Sequence, residues 1–244
     1  MNALAVLNVL DAIARTDSLY IHLSTGSVYG HGGKTRNRES GPTVPSSTYG
    51  VSKLAGESYV RVYSETYGMK AVMLRLHSVY GPRQNAGRYG GVAAIFIQNV
   101  LNNQPPVVFG DGNDTRSFLY VQDSVRSILL AASEKRALGL AINIAGQRSY
   151  SINYLAQLIM RLRNSNLRPL HKTVRGPAVR HFHSSLRRAW DLLNFKSEID
   201  LRRGLSLTID ATNVERKLRQ ELFPRFGLDM HDEYFYIMIH CRSK

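Results

Sequence analysis

Three side chains in the first quarter of the chain have the types and spacing for acid/base chemistry. Tyr49 and Lys53 stand four residues apart in Tyr49-Gly50-Val51-Ser52-Lys53, and such residues project from one face if the segment is helical. An ammonium held beside a phenol favours the phenolate, which poises the pair for proton transfer near neutral pH. Thr25, in Ser24-Thr25-Gly26-Ser27-Val28-Tyr29-Gly30, adds a hydroxyl next to the phenol if the end of the preceding strand meets this helix. For Y-x-x-x-K alone, an ordinary helix face carrying a tyrosine and a lysine is the simpler account, because the pattern arises often by chance.

The elements that must position these residues are legible around them. Leu4, Leu7, Leu10 and Ile13, with Val6 and Val9 beside them, recur at a helical period over 2–15. Residues 19–24 (LYIHLS) are rich in strand formers, and the polar stretch from Gly30 to Ser47 ends in Ser46, Ser47 and Thr48, three candidate caps for a helix over 49–67. Gly68 has the position of a helix stop, and 71–76 is a second strand. Helix, strand, helix, strand predicts a parallel sheet covered by helices. Further along, the pattern predicts helices over 92–102, 123–133, 151–163, 189–193 and 201–218, with strands at 107–109 and 141–145. The stretch from Phe223 to Lys244 has no clear periodicity.

Bulk properties narrow the classes. The chain has 244 residues, 43% hydrophobic and 20% charged, enough for one core or a core with a smaller subdomain. It contains no apolar run of about 18 residues, so no membrane span is expected. The lone Cys241 permits no internal disulfide and agrees with a reducing, cytoplasmic location. The net charge of +14 raises the question of nucleic acid. The arginines of the C-terminal third lack interleaved aromatics or a recognition motif, so nucleic-acid binding is not expected. No histidine spacing with acidic partners suggests a metal.

Four stretches in order, STGSVYG, YGVSKLAGE, LRLHSVYGPRQ and FGDGNDTRSFLYVQD, resemble the extended short-chain dehydrogenase/reductases. More narrowly they resemble the NAD-dependent epimerase/dehydratases of nucleotide sugars, the UDP-glucose 4-epimerases most of all. The resemblance implies an α/β fold, a partial Rossmann-like parallel sheet with a smaller C-terminal α+β substrate-binding subdomain. Residues 1–90 would be the NAD-binding half, partly rejoined by 107–150, with 91–222 as the substrate-binding subdomain and 223–244 as an atypical tail. It implies NAD as cofactor, a nucleotide-diphosphate sugar as substrate, and a homodimer through helices 2–15 and 49–67.

The implied roles are Tyr49 as acid/base, Lys53 on the nicotinamide ribose and Thr25 on the reacting oxygen, with Ser24 and His77 also beside the cofactor. Ser78 stands where relatives carry an Asn that reaches the diphosphate, and Arg116 and Arg175 would grip the diphosphate as planar, permanently charged ligands. The 4,6-dehydratases carry Asp-Glu after the Thr, whereas Gly26 and Ser27 stand here, so epimerisation is favoured over elimination. Ala178 and Ser185 replace two aspartates of the family pattern.

The resemblance also implies a G-x-x-G-x-x-G turn ahead of the first motif, and none occurs in this sequence. The chain is therefore expected to lack the first β-α units, which weakens NAD binding and leaves the strand at 19–24 with an open apolar edge. Two functions follow: a nucleotide-sugar epimerase, or a catalytically inactive remnant or interaction module.

Overall fold

The computed structural model describes residues 2–31, 36–87, 90–173 and 183–226. In chain order these form α1 (Asn2–Ile13), β1 (Tyr20–Thr25), a 3-10 turn (Gly26–Tyr29), α2 (Thr48–Tyr67), β2 (Ala71–Leu76), β3 (Val79–Tyr80) and α3 (Val92–Leu101). There follow β4 (Val107–Phe109), β5 (Thr115–Arg116), β6 (Leu119–Tyr120), α4 (Val121–Ser133), β7 (Ala141–Ile144), β8 (Tyr150–Ser151) and α5 (Ile152–Leu162). The last are β9 (Leu170–Lys172), α6 (Arg187–Leu193) and α7 (Leu201–Phe226).

The expected α/β arrangement is present. β1, β2 and β7 form a three-stranded sheet in that order, and both pairings are parallel. β2 lies between the other two and is buried along nearly its whole length, so its sequence is an almost continuous apolar run interrupted by Arg75. Side chains alternate across it. Ala71 and Met73, with Ala141, pack on one face with Leu10 of α1 and Val60 of α2. Val72 and Leu74, with Ile142 and Ile144, pack on the other with Ala131 of α4 and Ala189 and Leu193 of α6. A second core gathers α3, α5 and α7 around Phe96, Val108, Leu155, Ile159 and Leu205.

Local signals acted as the sequence predicts at two helix starts. Ser47 accepts the Gly50 amide at 3.0 Å and so caps α2, and Ser151 accepts the Tyr154 amide at 3.1 Å at the start of α5. Two boundaries differ. α7 continues to Phe226, past both the end predicted at 218 and the start assigned to an atypical tail at 223. α4 begins at Val121 rather than Asp123, because Asp123 turns inward: its carboxylate accepts the amides of Glu198 and Ile199 at 3.0–3.1 Å, a tertiary partner that cap statistics cannot foresee.

Candidate active site at the strand ends

The sheet delivers three connections to one rim. β1 ends at Thr25, β2 at Leu76 followed by His77 and Ser78, and β7 at Ile144, and the carboxyl ends of parallel strands are where open α/β sheets bind ligands. The first turn of α2 comes to this rim. A Cβ on Gly50 would lie 2.7 Å from the Ser27 carbonyl oxygen, so only a glycine lets the helix start this close to the turn that follows Thr25. The sequence places Tyr49 directly beside that contact, and Tyr49 is 48% exposed.

Lys53 lies one turn further along α2. Its Nζ donates to the Leu23 carbonyl of β1 at 2.9 Å, and burial lowers its pKa. The ammonium expected at the phenol and ribose is thus engaged with the strand backbone. Thr25 is 9% exposed; its Oγ1 accepts the Ser27 amide at 3.2 Å and stands 3.3 Å from the Ser27 hydroxyl, so the reactive-hydroxyl candidate also caps the 3-10 turn. The Ser24 hydroxyl points into the core and donates to Glu57 at 2.6 Å.

His77 is buried with its ring against Gly26, where a Cβ would come within 2.3 Å of the imidazole. Burial foremost, and then the Arg75 charge, push its pKa down to about 4 against a hydrogen bond with Asn143, so the ring is neutral at pH 7. Ser78 is exposed with φ 38, a left-handed conformation that Asn tolerates better than Ser. Arg116 is partly buried at β5 and donates to its neighbour's carbonyl, Thr115, at 2.9 Å. Arg175 lies outside the described residues.

Beneath this rim runs a buried polar chain that sequence inspection missed. Arg75 donates to Glu57 through Nε at 2.8 Å and through an Nη at 2.7 Å; the two side chains are 1% and 0% exposed. Burial pushes the Glu57 carboxyl up, but the Arg75 bonds and charge, with Ser24, more than offset it and hold it below its ordinary range. Arg75 also donates to Tyr29 at 2.7 Å, whose hydroxyl donates to Asn143 Oδ1 at 2.8 Å. The signal was available: Glu57 follows Lys53 by four residues, on the same helix face as Tyr49 and Lys53, and Arg75 is the one charge in an otherwise apolar buried strand.

Among the described residues no group of three His, Cys, Asp or Glu could hold a metal, and no helix is long and apolar enough to cross a membrane. A cavity of about 450 Å³ lined by Arg148, Tyr150, Tyr154, Asp200 and Arg202 among others shares no residue with the rim described above.

Residues 1–145 match the family described as "NAD dependent epimerase/dehydratase family". The chain belongs to that family. A curated family member, the putative UDP-glucose 4-epimerase of Methanocaldococcus jannaschii, is 33% identical over 212 residues, covering 86% of this chain and 68% of its own. The UDP-glucose 4-epimerase structure of Thermotoga maritima with UDP-glucose superposes with a TM-score of 0.84 at 30% identity, covering 88% of this chain and 70% of that one. UDP-glucuronic acid 4-epimerase of Bacillus cereus, solved with UDP-glucuronic acid and NAD, gives a TM-score of 0.81 at 29% identity over 88% of this chain and 68% of its own. The sheet of this chain is accordingly part of a Rossmann-like fold. The chain spans 68%, 58% and 61% of the length of the first curated relatives it matches.

Proposed function

We propose that this chain is the catalytic and sugar-binding part of an NAD-dependent nucleotide-sugar 4-epimerase. The observation that carries this reading is the approach of the α2 start to the turn after Thr25, enforced at Gly50, which supports Tyr49 and Lys53 of α2 acting together with Thr25. Relatives solved with UDP-sugars and NAD support the ligand classes.

Tyr49 serves as the acid/base on the sugar hydroxyl, with Thr25 holding the reacting oxygen. Bound NAD would supply the hydride acceptor and donor for the carbon that bears this hydroxyl, so that oxidation to the ketone and reduction from the opposite face would balance. Redox is balanced over the cycle and the product is the epimer. Gly26 and Ser27 supply no acid or base for water elimination. Ser78, Arg116 and Arg175 bind the diphosphate. Lys53 and Tyr49, one helical turn apart on α2, are the donors whose chemistry would suit the nicotinamide ribose. No glycine-rich turn in the sequence serves the pyrophosphate, so NAD binds this chain more weakly than it binds a relative that has one. Homodimerisation would use α1 and α2, whose Leu4, Val9, Val51 and Val62 are exposed.

Interconversion of UDP-glucose and UDP-galactose by the purified chain with saturating NAD tests this, with Tyr49→Phe expected to lower kcat by at least about a hundredfold. Absence of both turnover and NAD binding would sink it in favour of a non-catalytic interaction module. The engagement of Lys53 with the strand backbone is the observation that favours that second reading.

A further inference from the structure

Thr25 is pinned on both sides by the buried polar chain. On one side Ser24, its chain neighbour, donates to Glu57 at 2.6 Å. On the other, the turn that Thr25 caps ends in Tyr29, which accepts from Arg75 at 2.7 Å and lies with its ring under the guanidinium, 4.9 Å from Cζ. Both ties converge on Arg75, because Glu57 receives two bonds from it. Glu57 belongs to α2, one turn beyond Lys53 and two beyond Tyr49. A single guanidinium on the middle strand therefore sets where β1's end stands relative to the helix that carries the acid/base.

The donors run in one direction. Arg75 donates to Tyr29, Tyr29 to Asn143 Oδ1 at 2.8 Å, and Asn143 Nδ2 to the carbonyls of Asn37 and Ser185 at 3.3 and 3.2 Å. Such a chain polarises each successive bond and resists local rearrangement. Glu57, Arg75 and Tyr29 are 0%, 1% and 7% exposed, and their polar groups are engaged with one another, Ser24 and Asn143.

We propose that Arg75, Glu57 and Tyr29 are positioning residues that fix Thr25 against Tyr49 and Lys53, acting through the Ser24 and Tyr29 ties rather than by touching substrate or cofactor. The activity arm of the test rests on the proposed epimerase reading. An ångström of misplacement between reacting groups costs up to about a hundredfold in rate, so the effect belongs in kcat.

The decisive variant is Tyr29→Phe, which keeps the ring over Arg75 and the ion pair but removes the hydroxyl shared by Arg75 and Asn143. Assayed well below its melting temperature, it is expected to lose about tenfold or more in kcat with KM within about twofold of the parent; an unchanged kcat, or a loss confined to KM, overturns the proposal. Amide exchange of 24–30 supplies a readout free of catalysis. The Ser27 amide, bonded to Thr25, is expected to exchange at least about tenfold faster in Tyr29→Phe, and unchanged exchange there overturns the proposal. Glu57→Gln is the companion variant: its amide keeps an oxygen for Ser24 but turns an Nε2 donor toward the Arg75 Nη that Oε2 had accepted, so it breaks the tie to Arg75 from the helix side, with the same expected outcomes. If the parent chain shows no turnover, the epimerase reading fails while the exchange measurement still decides the positioning role.

Discussion

The two outer edges of the three-stranded sheet are closed in different ways. On β7, Leu140 and Ile144 bond β2 through their carbonyls, so the backbone groups of Ala141 and Asn143 face outward. Side chains take one group of each: Arg188 donates to the Ala141 carbonyl at 2.8 Å, and Glu39 accepts the Asn143 amide at 3.0 Å. On β1, Tyr20 bonds toward β2, so Ile21, Leu23 and Thr25 face outward. Among the described residues, the side chain that bonds this edge is Lys53, at the Leu23 carbonyl, and Leu23 itself is 42% exposed. One edge is sealed by residues with no other assigned task, the other by the lysine that the proposed chemistry requires. Edge protection and catalysis therefore compete for one ammonium, and a charged lysine is a usual guard on an exposed strand.

The largest effect is expected from neither edge. Arg75→Met, in the strand between them, removes both guanidinium bonds to the buried Glu57, leaving it only the half-exposed Arg61 as a charge partner, at 3.5 Å, and is expected to cost about 3 kcal/mol or more in denaturant unfolding. A loss no larger than that of an edge variant would break the contrast between a fixed centre and lightly held rims.

Acid should loosen the β1 side next. Burial foremost, together with the Lys53 charge, pushes the His22 pKa down to about 4, and His77 is likewise held at about 4. Between about pH 6.5 and 4 the unfolded chain binds protons that the folded imidazoles refuse. Their stabilisation is thus complete above 6.5 and lost as pH falls through that window, by on the order of 3 kcal/mol for each ring. Melting temperatures from pH 7 to 4 check this. His22→Phe should flatten the profile, and an unaltered slope would remove β1 from the account.

At the edges themselves, Arg188→Met is expected to cost about 1.5 kcal/mol without promoting association, since Glu39 still covers β7. Lys53→Met should cost less in unfolding, about 1 kcal/mol or under, yet increase light scattering by uncovering β1. Equal scattering from both variants would abolish the distinction between the edges. The smallest effect is Ser78→Asn, expected to gain about 0.5 kcal/mol by easing a left-handed residue.

Much of this organisation could be read from residue patterns. The apolar periods of α1 and α2, the apolar run of β2 and the serines ahead of α2 and α5 act within a few residues, and each element formed where those local rules placed it. The start of α4 was less accessible, because Asp123 is held by amides 75 and 76 positions away. In the candidate site, Tyr49, Lys53 and Thr25 were legible from type and spacing. Glu57 and Arg75 were passed over because they read as one surface charge on a helix and one stray charge in a strand.

The sequence by itself determined the family, the parallel sheet and which side chains have chemistry to offer, since these depend on motif order and on local hydrophobic period. Only the tertiary structure decided what those side chains hold. Whether Ser24 faces a cofactor or Glu57, and whether Lys53 reaches a phenol or the Leu23 carbonyl, depends on which element packs beside each residue, and a hydrogen-bonding group takes the partner that burial brings within about 3 Å.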